Sequence, residues 1–207
     1  MSSTTLYRLS GISLLIGSLL LIIGDIPDIF IGNGQASAIS TTSALIRLIG
    51  AMLIALGLPS MYAGFAGRAG VLGLIGFTCT FFFFLMAVVS ETIVIFTLPL
   101  LLAQGLLNGG APPLGLLIGS LADAVLALVG GVLLGIAIMR TQMLPRWAGA
   151  ALIVGSIPFA LGSALDLPIT DAGLIIFAAG LAWLAVGMLS KQSNTVEASL
   201  PPSGVRA

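Results

Sequence analysis

The stretch that decides the fold is VLGLIGFTCTFFFFLMAVVSETIVIF, which occupies residues 71–96. A helix needs about 20 mostly apolar residues to cross the hydrocarbon core of a bilayer, and this run exceeds that length. The side chains of Phe81 to Phe84 cover all sides of a helix, so we expect most of these rings to face lipid. The one charged residue in the run is Glu91, near its end. The stretch therefore predicts a spanning helix with a carboxylate close to one membrane boundary.

The composition of the whole chain supports the same class of protein. Of its 207 residues, 58% are hydrophobic and only 7% are charged, whereas soluble domains are about 25% charged. The sequence has no histidine and a single cysteine, Cys79. These counts exclude histidine-ligated haem, histidine-based catalytic triads and an internal disulfide. We therefore expect an integral membrane protein that is not an enzyme and that has no metal or other cofactor.

Six segments are long and apolar enough to span a membrane, and their limits are 9–30, 43–63, 71–96, 114–139, 147–165 and 172–190. The predicted fold class is all-α: a polytopic membrane protein whose transmembrane helices form three hairpins. We expect residues 1–190 to form a single transmembrane domain. Residues 191–207 are predicted to be a disordered tail, because their serine, proline and charged residues do not supply an apolar core.

The connection between the third and fourth segments is too long for a turn and too apolar for a loop in water. Residues 98–110 are therefore predicted to form a helix that lies at the membrane interface. Gln104 and Asn108 are four residues apart and would share one face of that helix. The segment is either an anchor or a lid over the bundle, and in the second case these two amides are its candidate functional residues.

Charged residues sort to alternate sides of the six segments. The connections on one side contain basic residues: Arg8, Arg68, Arg140, Arg146, Lys191 and Arg206. The acidic residues fall towards the other side: Asp25, Asp28, Glu91, Asp123, Asp166 and Asp171. Arg47 and Glu197 depart from this pattern. By the positive-inside rule, we expect the basic side and both chain termini to be cytoplasmic.

Glycines recur at two regular spacings. Seven-residue spacings occur in four of the segments: Gly17 and Gly24, Gly50 and Gly57, Gly155 and Gly162, and Gly173, Gly180 and Gly187. Four-residue spacings occur in the fourth segment: Gly115 and Gly119, and Gly131 and Gly135. Glycines let helix backbones approach closely, in left-handed packing for the first spacing and in right-handed crossings for the second. We expect most of them to pack helices, and the stripes are candidate surfaces for other membrane subunits or a second copy of the chain.

Four ionisable residues on four different segments are expected to lie at one depth: Asp25, Arg47, Glu91 and Asp123. At 1.5 Å of rise per residue, Asp25 and Asp123 lie about 25 Å from the basic side, and Glu91 lies about 31 Å from it. In a structural interpretation, Arg47 pairs with one of the three acids and locks helices together. In a functional interpretation, Glu91 and Asp123 form an acidic vestibule that holds a proton or a cation.

Two short motifs support a resemblance. They are Met143-Leu144-Pro145-Arg146-Trp147-Ala148-Gly149 before a glycine-rich helix, and Leu58-Pro59-Ser60-Met61-Tyr62 at the end of the second segment. Together with the six-helix layout, they resemble motifs of uncharacterised small bacterial membrane proteins. The resemblance implies a bacterial inner-membrane location, and it supplies no catalytic residues.

Two functions of different classes follow from these observations. The first is a small subunit or partner-binding protein of a membrane assembly, which the glycine stripes and the scarcity of polar groups favour. The alternative is a proton- or cation-coupled transporter of a small solute, which the acidic layer favours. An enzyme is not expected, because the sequence has neither a paired-aspartate protease signature nor a Glu-Glu-x-x-x-Arg motif. The expected partners are the lipid bilayer and other membrane subunits, and not nucleic acid.

Overall fold

The computed structural model describes residues 3–31, 38–97, 99–100, 114–142, 144–165, 167 and 169–198, with side chains from position 8 to position 190 except at 28–40, 98, 101–113, 116, 143, 166 and 168. The helices are α1 (Ser3–Ile31), α2 (Ala38–Ala63), α3 (Ala66–Thr92), α4 (Leu114–Thr141), α5 (Arg146–Leu165) and α6 (Thr170–Ala198). A π-helical segment, Ile93–Thr97, continues α3.

The prediction of an all-α protein with six helices long and apolar enough to cross a membrane is confirmed. The described part of the chain contains no β-strand. The helices extend beyond the predicted apolar limits, because a helix continues through polar residues once it is nucleated. Accordingly, α6 does not end where the disordered tail was predicted to begin but continues to Ala198. The rest of that tail and nearly all of the predicted interfacial helix, with Gln104 and Asn108, lie outside the described residues.

The connection between α2 and α3 is short and is bent by a glycine. Gly70 adopts φ 60° and ψ −166°, a conformation that is open to glycine and strained for other residues. Residues 66–69 therefore form a single helical turn that contains Arg68, and the apolar part of α3 begins after the bend.

The six described helices form a closed ring in chain order. Each helix packs against the helices before and after it in the sequence, and α6 returns to pack against α1. The three predicted hairpins are the pairs α1–α2, α3–α4 and α5–α6, and their contacts are the most extensive in the ring. The contact between α2 and α3 is the sparsest.

Aromatic rings fill the centre of this ring of helices. Phe83 and Phe84 of α3 are buried, and their ring centroids lie 6.1 and 6.2 Å from that of Phe177 on α6, the helix opposite α3 in the ring. Phe159 of α5 lies 5.2 Å from Phe83. The expectation that the four phenylalanines mostly face lipid is therefore wrong for Phe83 and Phe84, while Phe82 is 49% exposed. Since successive residues of a helix are about 100° apart, a run of four aromatic residues also covers its inward face.

Glycines bring neighbouring backbones into contact within the chain. A Cβ atom on Gly17 would lie 2.7 Å from the carbonyl oxygen of Gly50, and one on Gly50 would lie 2.9 Å from that of Gly17. Gly155 and Gly173 face each other in the same way, at 2.8 and 2.9 Å. These seven-residue stripes are therefore used inside the α1–α2 and α5–α6 hairpins, and they are not free surfaces for a partner.

We predict that Gly17→Leu will destabilise the protein by about 3 kcal/mol, because the added side chain meets the backbone of α2, which can move away only if the hairpin opens. Ala179→Leu, which introduces the same side chain at an exposed position of α6, is the control. Denaturant unfolding in a mild detergent measures both free energies. Equal stability of the two variants would contradict the close contact between Gly17 and Gly50.

Candidate functional site

Arg47 of α2 forms a two-pronged ion pair with Glu91 of α3. Its Nε donates a hydrogen bond to Oε1 at 2.7 Å, and its Nη2 donates to Oε2 at 3.3 Å. Both side chains are largely shielded from solvent within the protein. An arginine that meets a carboxylate with two parallel N–H groups fixes both the distance and the orientation of the two helices.

Asp25 of α1 is the second partner of Arg47. Its Oδ1 lies 3.6 Å from Nη1 of Arg47, and the aspartate is buried. The residue before it, Gly24, leaves room for the arginine stem, because a Cβ there would lie 2.5 Å from Cγ of Arg47. The Gly24-Asp25 pair thus provides both the space for the side chain and a charge for its head group.

The ion pair joins three helices at the point where the ring is weakest. Arg47 contacts α1 through Asp25 and α3 through Glu91, and the direct packing of α2 on α3 is the sparsest in the ring. Breaking a buried pair by removing one partner leaves an uncompensated charge, which is strongly destabilising. We refer to Asp25, Arg47 and Glu91 as the Arg47 cluster.

Asp123 of α4 belongs to a separate polar contact. Ser90 of α3 donates a hydrogen bond to its Oδ2 at 3.3 Å. Its other oxygen, Oδ1, is buried and has no hydrogen-bond partner within the described part of the chain. Close by, Ser163 of α5 donates to the backbone oxygen of Ser120 at 3.4 Å. Hydroxyl groups of α3 and α5 and a carboxylate of α4 therefore meet at the same end of the ring.

The structure brings three of the four predicted ionisable residues into direct contact. Asp25, Arg47 and Glu91 form one cluster, while Asp123 lies beside Ser90, the residue before Glu91. Of the two interpretations of Glu91, the ion pair favours the structural one over the vestibule, since this carboxylate lies against a cation. Among the residues searched, no group of three or more His, Cys, Asp or Glu side chains is arranged to hold a metal ion.

Two features of this region were not predicted. Ser90 directly precedes Glu91 in the sequence, but its bond to Asp123 depends on how α3 packs on α4. The π-helical segment Ile93–Thr97 directly follows the cluster. Its signal in the sequence is the β-branched run Ile93-Val94-Ile95, because such residues fit an α-helix less well than unbranched ones.

Comparison with known proteins gives no relative for this arrangement. No protein-family model matches the chain, and neither a curated protein nor a solved structure matches it.

We predict that Arg47→Gln will destabilise the protein by about 2–3 kcal/mol, because it leaves the carboxylates of Asp25 and Glu91 close together without a cation. The triple variant Arg47→Gln, Asp25→Asn, Glu91→Gln should regain a large part of this loss, since it removes the uncompensated charges as well. Arg8→Gln, at an exposed arginine, is the control. Unfolding in lipid-free detergent measures all three, and a stable Arg47→Gln protein would show that the cluster does not hold the helices.

Proposed function

We propose that this protein is a small subunit of a membrane assembly. Copies of it associate through the N-terminal part of α4, around Gly115 and Gly119. The observation that supports this proposal is the pair Gly115 and Gly119. No described atom lies within 4 Å of the place where a Cβ would stand on either glycine. In contrast, Gly131 and Gly135 of the same helix are filled by Ser156, Phe177, Gly149 and Ile153.

Among the described residues, the surface around these two glycines is exposed and mainly apolar. Leu114 is 71% exposed and Ile118 is 58% exposed, and both lie in the first turns of α4. Exposed apolar side chains alone are explained by lipid. Glycine is not, because it lowers helix stability by about 1 kcal/mol relative to alanine and offers lipid no side chain to contact. Two glycines four residues apart form a shallow groove that a second helix fills.

A second copy of α4 is the occupant that fits this groove. The four-residue spacing of small residues is typical of right-handed helix pairs, in which each helix offers the same flat face to the other. A two-fold symmetric interface uses one surface patch on both copies, so a single patch is sufficient. The seven-residue stripes do not compete for this role, since they are used within the hairpins.

The proposal includes a location and an orientation. We place the protein in a bacterial inner membrane, as the resemblance of its motifs implies. The end that carries Arg8, Arg68, Arg140 and Arg146 faces the cytoplasm in this proposal, with both termini, as the positive-inside rule predicts.

We predict that Gly119→Leu will abolish the association of copies and leave the folded monomer intact. Two differently tagged copies are produced together in one membrane and purified through one tag in mild detergent, and recovery of the second tag is measured. Ala172→Leu introduces the same side chain at an exposed position of α6 at a similar depth and should leave recovery unchanged.

Three results would contradict this proposal. Wild-type copies that never purify together would remove self-association, and a solitary monomer in the native membrane would remove the subunit role. If Gly119→Leu unfolds the monomer itself, the groove is filled by the protein's own chain.

A second candidate function is proton or cation binding at Asp123, in a transporter of a small solute. The specific observation in its favour is the buried Oδ1 of Asp123, which no described group satisfies. The Arg47 cluster limits this function to Asp123 and Ser90, because the other two carboxylates already lie beside a cation. The aromatic centre of the ring gives no support to an open aqueous pore.

If Asp123 exchanges protons across the membrane, Asp123→Asn will lower proton flux by about tenfold or more, because the amide does not take up and release a proton. Flux is measured in vesicles that hold a pH-sensitive dye, after an acid jump outside. Asp171→Asn, at a carboxylate in the first turn of α6, is the matched control. Equal flux through wild type and Asp123→Asn, at the level of empty vesicles, would eliminate this second function.

A further inference from the structure

Four exposed arginines lie at the end of the ring opposite to the Arg47 cluster: Arg8, Arg68, Arg140 and Arg146. Contacts between helices place them at a common level. Gly73 lies against Ala137, which sets Arg68 beside the end of α4, and Gly149 lies against Met139, which sets Arg146 beside Arg140.

None of the four guanidinium groups has an ion pair or hydrogen bond with the described residues. The carboxylates whose side chains are described, those of Asp25, Glu91, Asp123 and Asp171, all lie towards the other end. The described side chains therefore supply no counter-charge at this end.

Arg140 and Arg146 flank a short turn that the rest of the protein holds in place. Within the turn Leu144 is buried, and Pro145 packs so closely on α6 that a Cβ on Gly187 would lie 2.7 Å from its Cδ. Thr141 is also buried, and its hydroxyl donates to the carbonyl oxygen of Ile138 at 3.0 Å. The two guanidinium groups are thus presented from either side of an anchored turn.

An exposed apolar track begins at the same turn. Trp147, directly after Arg146, is 74% exposed, and Val154 and Leu161 follow it at seven-residue spacing as exposed residues on one face of α5. Tryptophan prefers the boundary between lipid head groups and hydrocarbon, and the two aliphatic side chains continue the face into the hydrocarbon. A polar anchor and an apolar track are therefore aligned along one helix.

We propose that the turn between α4 and α5 binds an anionic phospholipid, with Arg140 and Arg146 on its phosphate and Trp147 beside its glycerol region. Planar guanidinium groups donate paired N–H groups to phosphate oxygens, which an ammonium group does not match. The acyl chains lie along Val154 and Leu161. This site is independent of the groove at Gly119, which belongs to the opposite end of the ring.

The surroundings of Arg140 and Arg146 favour a phospholipid over free phosphate as the ligand. A soluble anion would gain only from the two arginines and would compete with water for them. A phospholipid also buries acyl chains against α5, and its leaflet attracts each nearby basic residue through the surface potential.

The test uses Trp147 as its own reporter. The full-length chain with Trp183→Phe has Trp147 as its single tryptophan, and it is titrated in detergent with phospholipids brominated on the acyl chains, which quench nearby indole fluorescence. We expect brominated phosphatidylglycerol to quench Trp147 at about thirtyfold lower concentration than brominated phosphatidylcholine, since two basic residues face the anionic head group.

Variants test whether the preference for phosphatidylglycerol depends on Arg140 and Arg146. Arg140→Gln with Arg146→Gln should reduce the preference for phosphatidylglycerol to about onefold, and each single change should remove part of it. The lysine variants at both positions should retain an intermediate preference, because they keep charge and lose the paired donors. Gln142→Ala, at an exposed position in the same turn, is the matched control and should keep the full preference.

Three outcomes would overturn the proposal. The first is equal quenching of the wild-type site by both lipids, and the second is a preference that survives in the double glutamine variant. The third is complete displacement of phosphatidylglycerol by inorganic phosphate, which would show a site for the free anion. All four arginine side chains are exposed, so unchanged elution of the variants is expected, and the single changes keep the test valid if the double variant fails to fold.

Discussion

The ring of helices depends on one shared cation at its weakest junction. Arg47 is placed in a layer where an isolated charge is costly, and it is retained there by carboxylates from the two helices on either side of α2. The α1–α2 contact would persist without it, because glycines already bring those backbones together. The α2–α3 contact is the sparsest in the ring, with the stacked rings of Tyr62 and Phe77 as its main aromatic contact, so the ion pair contributes strongly to how α2 meets α3.

Two kinds of packing hold the rest of the helices together. Within the hairpins, backbone meets backbone at glycines, which gives many short contacts and leaves no room for side chains. The ring centre, where α3 and α6 lie too far apart for backbone contact, is filled by Phe83, Phe84 and Phe177. Close backbone contacts and a filled centre resist continuous deformation. The α2–α3 junction has the sparsest packing in the ring, and its contacts include the stacked rings of Tyr62 and Phe77 and the ion pair of Arg47 with Glu91.

Much of the fold could be predicted, because a membrane limits what an apolar segment can do. Length and composition were sufficient for six spanning helices, and the rise of a helix placed Asp25, Arg47, Glu91 and Asp123 in one layer. The rise per residue gives depth but not direction around the ring. Which of the three carboxylates pairs with Arg47 depends on the order of the helices around the ring, and the sequence did not give that order.

Because the sequence does not give the direction of a side chain around the ring, some expectations drawn from it were wrong. Phe81 to Phe84 looked equivalent along the chain, and only the direction of α3 decides that Phe83 and Phe84 face inwards. Gly115 and Gly119 looked like the other glycine pairs, yet no described neighbour fills their places. The sequence shows where small residues lie, and the packed structure shows which of them the chain has already used.

Charged side chains at the two ends of the ring differ in whether the described chain supplies their counter-charges. At the acidic end, the protein supplies its own counter-charge in Arg47, which lies beside Asp25 and Glu91, while Asp123 lies outside this cluster with its buried Oδ1 without a hydrogen-bond partner among the described residues. At the arginine end, the described side chains supply no counter-charge, although four arginines are exposed there. Internal compensation fixes helices to one another, and in our proposal a phospholipid compensates Arg140 and Arg146. The few charges of the chain are thus separated by role: Arg47 is enclosed among helices and joins them, whereas Arg140 and Arg146 remain exposed, as the proposed phospholipid site requires.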